Sequence, residues 1–184
     1  MDVQTTGLSP IRKDMIQLAV IVEIDGKVVA EKQFHMQPFD YNAIEEKALA
    51  IHGITKEQMK LFPKPDVVFK ELKDFLGKHV NKYEKLDKFH PAGYNVNFDI
   101  EFIKHFWKKN GDTYFGSWFN YKMIDPMHML HQLDARGTLA LPNYKLVDVC
   151  SHFGIPHTKA HEALADIKAT KELLSEVSGG KYSP

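Results

Sequence analysis

An early stretch of alternating apolar and polar positions predicts a β-hairpin. Met15–Val22 and Lys27–His35 are rich in Val, Ile and alternating apolar residues, which is typical of strands. Asp25-Gly26 lies between them, and an Asp-Gly pair favours the tight turn that joins two antiparallel strands. We therefore expect these two strands to pair with each other.

Beyond the hairpin the apolar spacing changes mainly to a helical period. Thr55 and Gln58 have the spacing of a capping box and predict a helix start. Short strands are predicted at Phe89–Tyr94, which Pro91 interrupts, and at Tyr121–Ile124. A hairpin followed by alternating strands and helices predicts an α/β domain with a mixed sheet. The predicted helices are Asn42–Ala50, Thr55–Met59, Asp66–Val80, Asp99–Lys109, Met127–Leu133, Tyr144–Phe153 and Glu162–Val177.

The composition is that of one ordinary globular domain. The 184 residues carry 24 Lys and Arg against 24 Asp and Glu and are 43% hydrophobic, which excludes fibrous and disordered classes. We expect one domain over residues 1–177 and a short tail over residues 178–184. The net charge of zero provides no simple argument for a nucleic-acid ligand and does not exclude one.

Neither a membrane span nor a secretory signal is predicted, because long apolar runs and a basic, apolar N-terminal segment are missing. We therefore expect a cytoplasmic protein, either associated with the nucleoid or present in a phage-infected cell. Cys150 has no second cysteine to pair with, so it is interpreted as a small buried residue of a helix.

Four aspartates, Asp2, Asp99, Asp125 and Asp166, lie where predicted strands end or helices begin. Asp166 is on an otherwise apolar helix, where a buried carboxylate is costly unless it is paired or binds a metal. A metal ligand and a helix-surface aspartate are equally compatible with this spacing. Carboxylates without cysteine favour Mg²⁺ or Mn²⁺ over Zn²⁺, and two such ions suit phosphodiester hydrolysis.

His161 precedes Asp166 by five residues, about 140° around a helix, so the two cannot share one helical face. We expect His161 to lie before the helix and to lean back toward the acids.

At this point the sequence resembles the DnaQ-like family of 3′→5′ exonucleases with the histidine-type four-acid site, which includes the proofreading subunit of the bacterial replicative polymerase. The resemblance covers nearly the whole chain, with several matches in the family order. The matching segments are Asp2–Leu8, His52–Thr55, Tyr94–Asp99 (with Gly93 and Tyr94 in place of the usual His), Ile124–Pro126, and Tyr144–Ile155 followed by His161–Asp166.

The resemblance implies a ribonuclease-H-like fold with a central mixed five-stranded sheet flanked by helices. It also implies that Asp2, Asp99 and Asp166, together with the side chain at position 4, hold two Mg²⁺ or Mn²⁺ ions, and that His161 is the general base. The implied nucleotide-binding residues are Thr5, Thr6, Gly7, Leu8, His52, Ile54, Asn95 and Phe98. Leu8 and Ile54 are also compatible with ordinary core positions, and His52 with a helix-end cap.

Position 4 departs from the family, which has Glu where this chain has Gln4. A neutral amide cannot replace a charged ligand, so we expect a weakened metal pair and an inactive or slow protein. The change is nearly isosteric and leaves the fold and the nucleotide pocket intact. Both a deliberate inactivation and a naturally impaired family member fit this departure.

The first acid also follows Met1 directly, without the apolar run that precedes it in the family. Either a few native residues are missing, or the first strand is formed by residues 1–4 alone. A charged α-amino group beside the metals would lower their affinity further.

The resemblance implies hydrolysis of single-stranded DNA from its 3′ end with release of nucleoside 5′-monophosphates, as in proofreading. An RNA-trimming exonuclease of the same family and a non-catalytic module that binds 3′ ends are the alternatives, and Gln4 favours the latter. A DNA polymerase is a candidate partner, and no membrane is expected. Substrate affinity would depend on the metals and on local lysines such as Lys104, Lys108, Lys145 and Lys159.

Overall fold

A three-stranded antiparallel sheet forms the scaffold of the protein. The computed structural model describes residues 1–157 and 162–179. Its strands are β1 (Asp2–Thr5), β2 (Met15–Ile24) and β3 (Lys27–His35), in the order β1-β2-β3. Asp25 and Gly26 both have positive φ, 51° and 73°, as a two-residue turn of this type requires. The predicted hairpin is confirmed, and Asp2–Thr5 is the first strand.

Two short parallel contacts take the place of the remaining strands of the expected five-stranded sheet. Phe89 pairs with Phe119 and Ala92 with Ile124 as isolated bridges, so neither predicted strand is continuous. Ala92 follows Phe89 by three positions, whereas Ile124 follows Phe119 by five. The two segments therefore cannot pair residue by residue, and residues 121–123 are out of register. Pro91 also has no N–H to donate, although its carbonyl accepts from the Ile124 amide at 2.8 Å.

Helices fill most of the rest of the chain. All predicted helical regions are confirmed with shifted ends, except that Asn42–Ala50 divides into a 3-10 turn and a short helix. Thr55 and Gln58 form the predicted capping box. The 3-10 turns are Tyr41–Ala43 and Phe115–Ser117, and the helices are α1 (Glu46–His52), α2 (Lys56–Leu61), α3 (Pro65–Leu76), α4 (Val96–Lys109), α5 (Pro126–Ala135), α6 (Leu146–His152) and α7 (Ala163–Val177).

The two faces of the sheet are covered by different helices. Leu18 and Val20 of β2 belong to a core shared with α3 and α4, at whose centre Trp107 makes edge-on contacts with four phenylalanine rings. On the other face, Ala19 packs against Ala163 and Ile167 of α7. The sheet is therefore enclosed by helices on both sides, in agreement with the α/β prediction.

Cys150 is fully buried beneath α5 and α7, as predicted. None of the helices in the described ranges is both long and apolar enough to cross a membrane. Lys159 and His161 lie outside the described residues, as does most of the predicted tail.

Candidate active site

Strand β1 brings Asp2 and Gln4 to the same face of the sheet, because residues two apart in a strand share a face. Asp2 pairs with Ala19 of β2, so this is the face that α7 covers. The Gln4 Nε2 amide donates a hydrogen bond to Asp2 Oδ2 at 3.3 Å. The side chain at position 4 therefore lies beside the first acid, as the resemblance implies, but it offers a donor to that acid.

Asp99 reaches the same strand from the first turn of α4. It is almost completely buried, and its Oδ1 accepts a hydrogen bond from the Val3 amide at 2.9 Å. This bond links the N-terminal turn of α4 to the middle of β1. The sequence-predicted pair of Asp2 and Asp99 is thus brought together.

Asp125 fixes the start of α4 and of α5. Its two carboxylate oxygens accept from the amides of Asn95 (3.1 Å), Val96 (3.1 Å) and Met127 (3.0 Å), so one buried side chain caps two helices. Asn95, which precedes α4, has a left-handed φ of 58°. Asp125 was predicted only as a strand-end acid, and the structure gives it the task of orienting the turn that carries Asp99.

Asp166 enters the site from the first turn of α7 and is buried, which excludes the helix-surface interpretation. His157 Nε2 lies 2.6 Å from Asp166 Oδ1, and the His157 side chain is itself only 4% exposed. The sequence does not predict this contact, because His161 and not His157 matches the family motif. A second histidine four residues earlier, just after Ile155-Pro156, was the available signal.

The three carboxyl groups influence one another electrostatically. Burial raises the pKa of Asp2 well above its ordinary value, and the nearby charges of Asp99 and Asp166 raise it further. Burial also raises the pKa of Asp99 to about 7, against the opposing effects of the N-terminal ammonium and the Val3 amide. Three acids therefore converge in a poorly solvated place, where their full ionisation requires a compensating positive charge.

The raised pKa of Asp99 predicts how stability depends on pH without metal. Between about pH 4, where an unfolded aspartate titrates, and about 7, the folded protein binds more protons than the unfolded chain. Stability is therefore greatest at the acidic end of this window and is lost as the pH rises through 7. We expect the Tm in a chelator to fall by several degrees between about pH 5 and pH 8.

The matched variants for this measurement are Asp99→Asn and the exposed Asp148→Asn. Asp99→Asn lessens the fall, and the part that remains belongs to Asp2, whose pKa is also raised; Asp148→Asn leaves the fall unchanged. The lowered pKa values of His35 and the α-amino group shift stability in the opposite direction, and both remain in each variant. An equal fall in Asp99→Asn would contradict the assignment of this titration to Asp99.

The donor set is suited to a hard divalent cation in its chemistry, since it consists of mutually repelling carboxylates that are buried or partly buried. Over residues 1–157 and 162–179, however, no three His, Cys, Asp or Glu side chains form a group arranged to hold an ion. Each acid already has partners in the protein: Asp2 accepts from Gln4, Asp99 accepts from the Val3 amide and from its own, and Asp166 lies beside His157. A cation would bind through the remaining lone pairs of these oxygens or would displace an N–H donor.

The expected nucleotide-binding loop is built directly onto β1. Thr6 is fully buried and exchanges two hydrogen bonds with Asp14, each of 2.8 Å, and its carbonyl accepts from the Glu45 amide at 2.9 Å. A Cβ on Gly7 would lie 2.8 Å from the Glu45 carboxyl carbon, which is the end of a flexible side chain and can shift, but the φ of 157° at Gly7 is one that L side chains rarely adopt. Leu8 is 77% exposed, which excludes the core interpretation and leaves its side chain available to a ligand.

The other expected binding residues are distributed around this region. His52 ends α1, and its Nδ1 accepts from the Ile54 amide at 3.0 Å, as a helix-end cap does. Asn95 is exposed, while Phe98 is half-buried against Phe102 in the turn that carries Asp99. Of the expected lysines, Lys104 pairs with Glu101.

The α-amino group of Met1 donates to the Ala92 carbonyl at 2.7 Å. Burial lowers its pKa, while Asp99 and Asp2 oppose this shift. The expected repulsion of metals by this group is therefore reduced, because a lowered pKa favours the neutral amine.

Comparisons with known proteins agree with this geometry. The exonuclease family model (RNase T) matches residues 1–174. The DNA polymerase III PolC-type of Bacillus cereus is 27% identical over 173 residues, which cover 94% of this chain and 11% of that protein. Exodeoxyribonuclease I of Escherichia coli is 26% identical over 183 residues, covering 92% of this chain and 37% of that protein. The chain thus spans about a tenth to two fifths of these relatives.

Among solved structures, E. coli exonuclease I in complex with a dT13 oligonucleotide superposes with a TM-score of 0.76. The identity is 21%, over 95% of this chain and 40% of that chain. This likeness shows the ribonuclease-H-like fold, within which the three-stranded sheet and the two parallel bridges are placed. The match over residues 1–174 and the shared fold show that the chain belongs to the exonuclease family, in the DnaQ-like group of PolC-type polymerases and exonuclease I.

Proposed function

We propose that this domain is built to hydrolyse single-stranded DNA from the 3′ end, with release of nucleoside 5′-monophosphates. The observation that carries the proposal is the convergence of three carboxyl groups from β1, α4 and α7 at the strand that leads into the Thr5–Leu8 loop; Asp99 and Asp166 are buried and Asp2 is partly buried. Single bonds such as that of Asp99 to Val3 stabilise the fold, but bringing three acids together does not, since they repel one another. It is explained by a function that requires concentrated negative charge.

The residues divide into two roles. Asp2, Asp99 and Asp166 would hold two divalent cations, Mg²⁺ or Mn²⁺, with Gln4 at the fourth ligand position. When bound, such ions activate a water molecule and stabilise the leaving oxygen of a phosphodiester. His161 is proposed as the group that takes the proton from this water, and it lies outside the described residues.

The substrate end would lie on the loop after β1. Exposed Leu8 offers an apolar surface to the terminal base. Thr5 and Gly7 would approach the sugar through main-chain groups, and buried Thr6 would hold the loop in place. Phe98 and Asn95, in and just before the first turn of α4, would line the path of the next nucleotide, and His52 and Ile54 the end of α1. The exonuclease I structures with single-stranded oligonucleotides support DNA as the substrate.

A second candidate function is the binding of 3′ ends without cleavage. Gln4 specifically favours it, because its amide donates to Asp2 in place of a carboxylate that would bind a metal. Under either function, the PolC-type relatives support a DNA polymerase as partner. The two functions predict different results for Gln4→Glu: cleavage appears or becomes faster in an exonuclease, and is still absent in a module that only binds 3′ ends.

The direction and the substrate can be tested together in the Gln4→Glu protein. We expect a 5′-labelled single-stranded DNA to give a ladder that shortens from the 3′ end in Mn²⁺, and a 3′-labelled strand to release labelled monophosphate at once. The matched RNA strand is expected to be degraded more slowly, and Gln4→Glu combined with Asp99→Asn to be inactive. Monophosphate released first from the 5′ end would overturn the proposed polarity, and faster cleavage of RNA would select the exoribonuclease.

A further inference from the structure

A second concave surface lies away from the acids, where α3 gives way to an irregular segment. It is a cleft of about 450 Å³ formed by residues 77–83 together with Trp118. None of the acids of the active site lines it. The proposed exonuclease mechanism does not use this cleft.

The walls of the cleft are basic. The segment of residues 78–88 carries four lysines and His79 against Glu84 and Asp87. Asp87 is engaged by the Asn81 amide, to which its Oδ2 accepts at 2.8 Å. Within the described part of the chain, no ion pair is formed by Lys78, Lys82, Lys85 or Lys88. Lys88 donates to the Gly116 carbonyl instead. Lys78 and Lys82, the two lysines that line the cleft, therefore have no carboxylate partner in the described residues.

Two aromatic residues, Tyr83 and Trp118, line the cleft together with the lysines. Tyr83 is 85% exposed, so its ring is open to a partner, while Trp118 forms a buried floor. Lys82 Nζ lies 5.1 Å from the centre of the Tyr83 ring and 5.4 Å from that of Trp118, between the two. A lysine ammonium between an exposed aromatic ring and a buried one suits a nucleic-acid strand, which carries both phosphates and flat bases.

The cleft is joined to the active site by one extended stretch of chain. The Phe89 amide donates to the Trp118 carbonyl at the cleft, and the Ala92 carbonyl accepts from Met1 beside Asp2. Phe89 and Ala92 are three residues apart, which is about 10 Å of extended chain, and Lys82 lies between Trp118 and the Tyr83 ring beyond it. A single strand whose 3′ end lies at Asp2 therefore has to continue for several nucleotides before it reaches Tyr83.

We propose that this cleft is a second binding surface for single-stranded nucleic acid, which holds the strand several nucleotides before the 3′ end. The inference rests on the proposed function for the position of that end. Lys78 and Lys82, which line the cleft, attract the phosphates, and Tyr83 stacks on a base. An acidic peptide would use the same lysines but would gain little from an exposed ring, which is why a nucleic acid is favoured.

The test compares oligothymidylates of about 4 and about 16 nucleotides, the range of lengths that one single-strand surface covers. Their binding to the protein is measured by fluorescence anisotropy in a chelator, over a series of salt concentrations. The cleft variant is Lys78→Gln with Lys82→Gln. Its matched control, Lys27→Gln with Lys70→Gln, removes the same charge from exposed lysines that do not line the cleft.

For the long strand, log affinity falls linearly with log salt concentration. We expect this dependence to be less steep in the cleft variant by about 1.4, or 0.7 for each lost phosphate contact. Tyr83→Ala should weaken long-strand binding about fivefold or more, and Tyr83→Phe should restore it. The short strand should bind equally to all variants, and the control should match the parent. Thermal unfolding verifies that each variant is folded.

Two outcomes would overturn the inference. The first is an unchanged salt dependence in the cleft variant, which would mean that the lysines serve another partner, such as an acidic peptide. The second is an equal loss of affinity for the short and the long strand, which would place the short strand's site in the cleft as well. A failure of the proposed function looks different. In that case the short strand binds regardless of whether its 3′ hydroxyl is free or blocked, while the effect of the cleft on the long strand persists.

Discussion

Replacing Gln4 with glutamate will raise the rate of DNA hydrolysis by about a thousandfold or more, because metal-ion catalysis contributes several kcal/mol and each 1.4 kcal/mol is tenfold in rate. In the present protein, the Gln4 amide donates to Asp2 Oδ2 and brings no negative charge. A glutamate at this position cannot donate, so it would free the Asp2 oxygen and add a fourth carboxylate. Single-turnover cleavage of a 5′-labelled single strand in Mn²⁺ measures the change.

The same pair of proteins should differ in metal affinity. Calorimetric titration with Mn²⁺ is expected to show weak binding to the parent and clearly tighter binding to Gln4→Glu. Gln132→Glu, an identical change at an exposed position of α5, is the control for added charge and should behave like the parent. If the parent already binds two ions tightly, or cleaves as fast as Gln4→Glu, the interpretation of Gln4 as the disabling residue is wrong.

Asp125→Ala should be the most destabilising single change near the site, with a loss of about 3–5 kcal/mol in the free energy of unfolding. The substitution removes the acceptor of the Asn95, Val96 and Met127 amides and leaves three partly or fully buried donors without a partner. Denaturant titration measures the loss. Asp74→Ala, at an exposed position of α3, is the control and should change stability by no more than about 0.5 kcal/mol.

A functional consequence accompanies this loss. In the active Gln4→Glu background, Asp125→Asn keeps the size of the side chain and one oxygen acceptor, so the protein should remain folded with a loosened α4 start. We expect its cleavage rate to fall because Asp99 is carried by that turn. A rate equal to that of Gln4→Glu alone would show that Asp125 stabilises the fold without positioning Asp99.

Local signals were sufficient for much of the fold. Asp25-Gly26 specifies a two-residue turn through its backbone preferences, and Thr55 with Gln58 specifies a helix start, so both were predicted from neighbouring residues alone. The continuity of the strand at Phe89–Tyr94 depends instead on a distant partner whose spacing does not match. No pattern within the segment itself reports that mismatch.

The candidate site shows the same division. Asp2, Asp99 and Asp166 were identified because they occupy family motifs, and the structure brings them together. The contact between His157 and Asp166 was not predicted because His157 lies outside the family motif and nine residues before Asp166, with no periodic pattern that relates the two. The double cap formed by Asp125 was also out of reach, since it joins the starts of two helices that are 30 residues apart in sequence.

The hydrogen bonds of Thr6 fix the loop after β1, and this lowers the entropic cost of binding a ligand there. This residue is hydrogen-bonded to Asp14 in both directions and to the Glu45 amide, while the Thr5 hydroxyl donates to the Gly7 carbonyl. The backbone of the loop is therefore ordered when the chain folds, and that loss of conformational entropy is not repeated when a ligand arrives. Recognition of a nucleotide there is preorganised, and selectivity follows from the fit to a fixed shape.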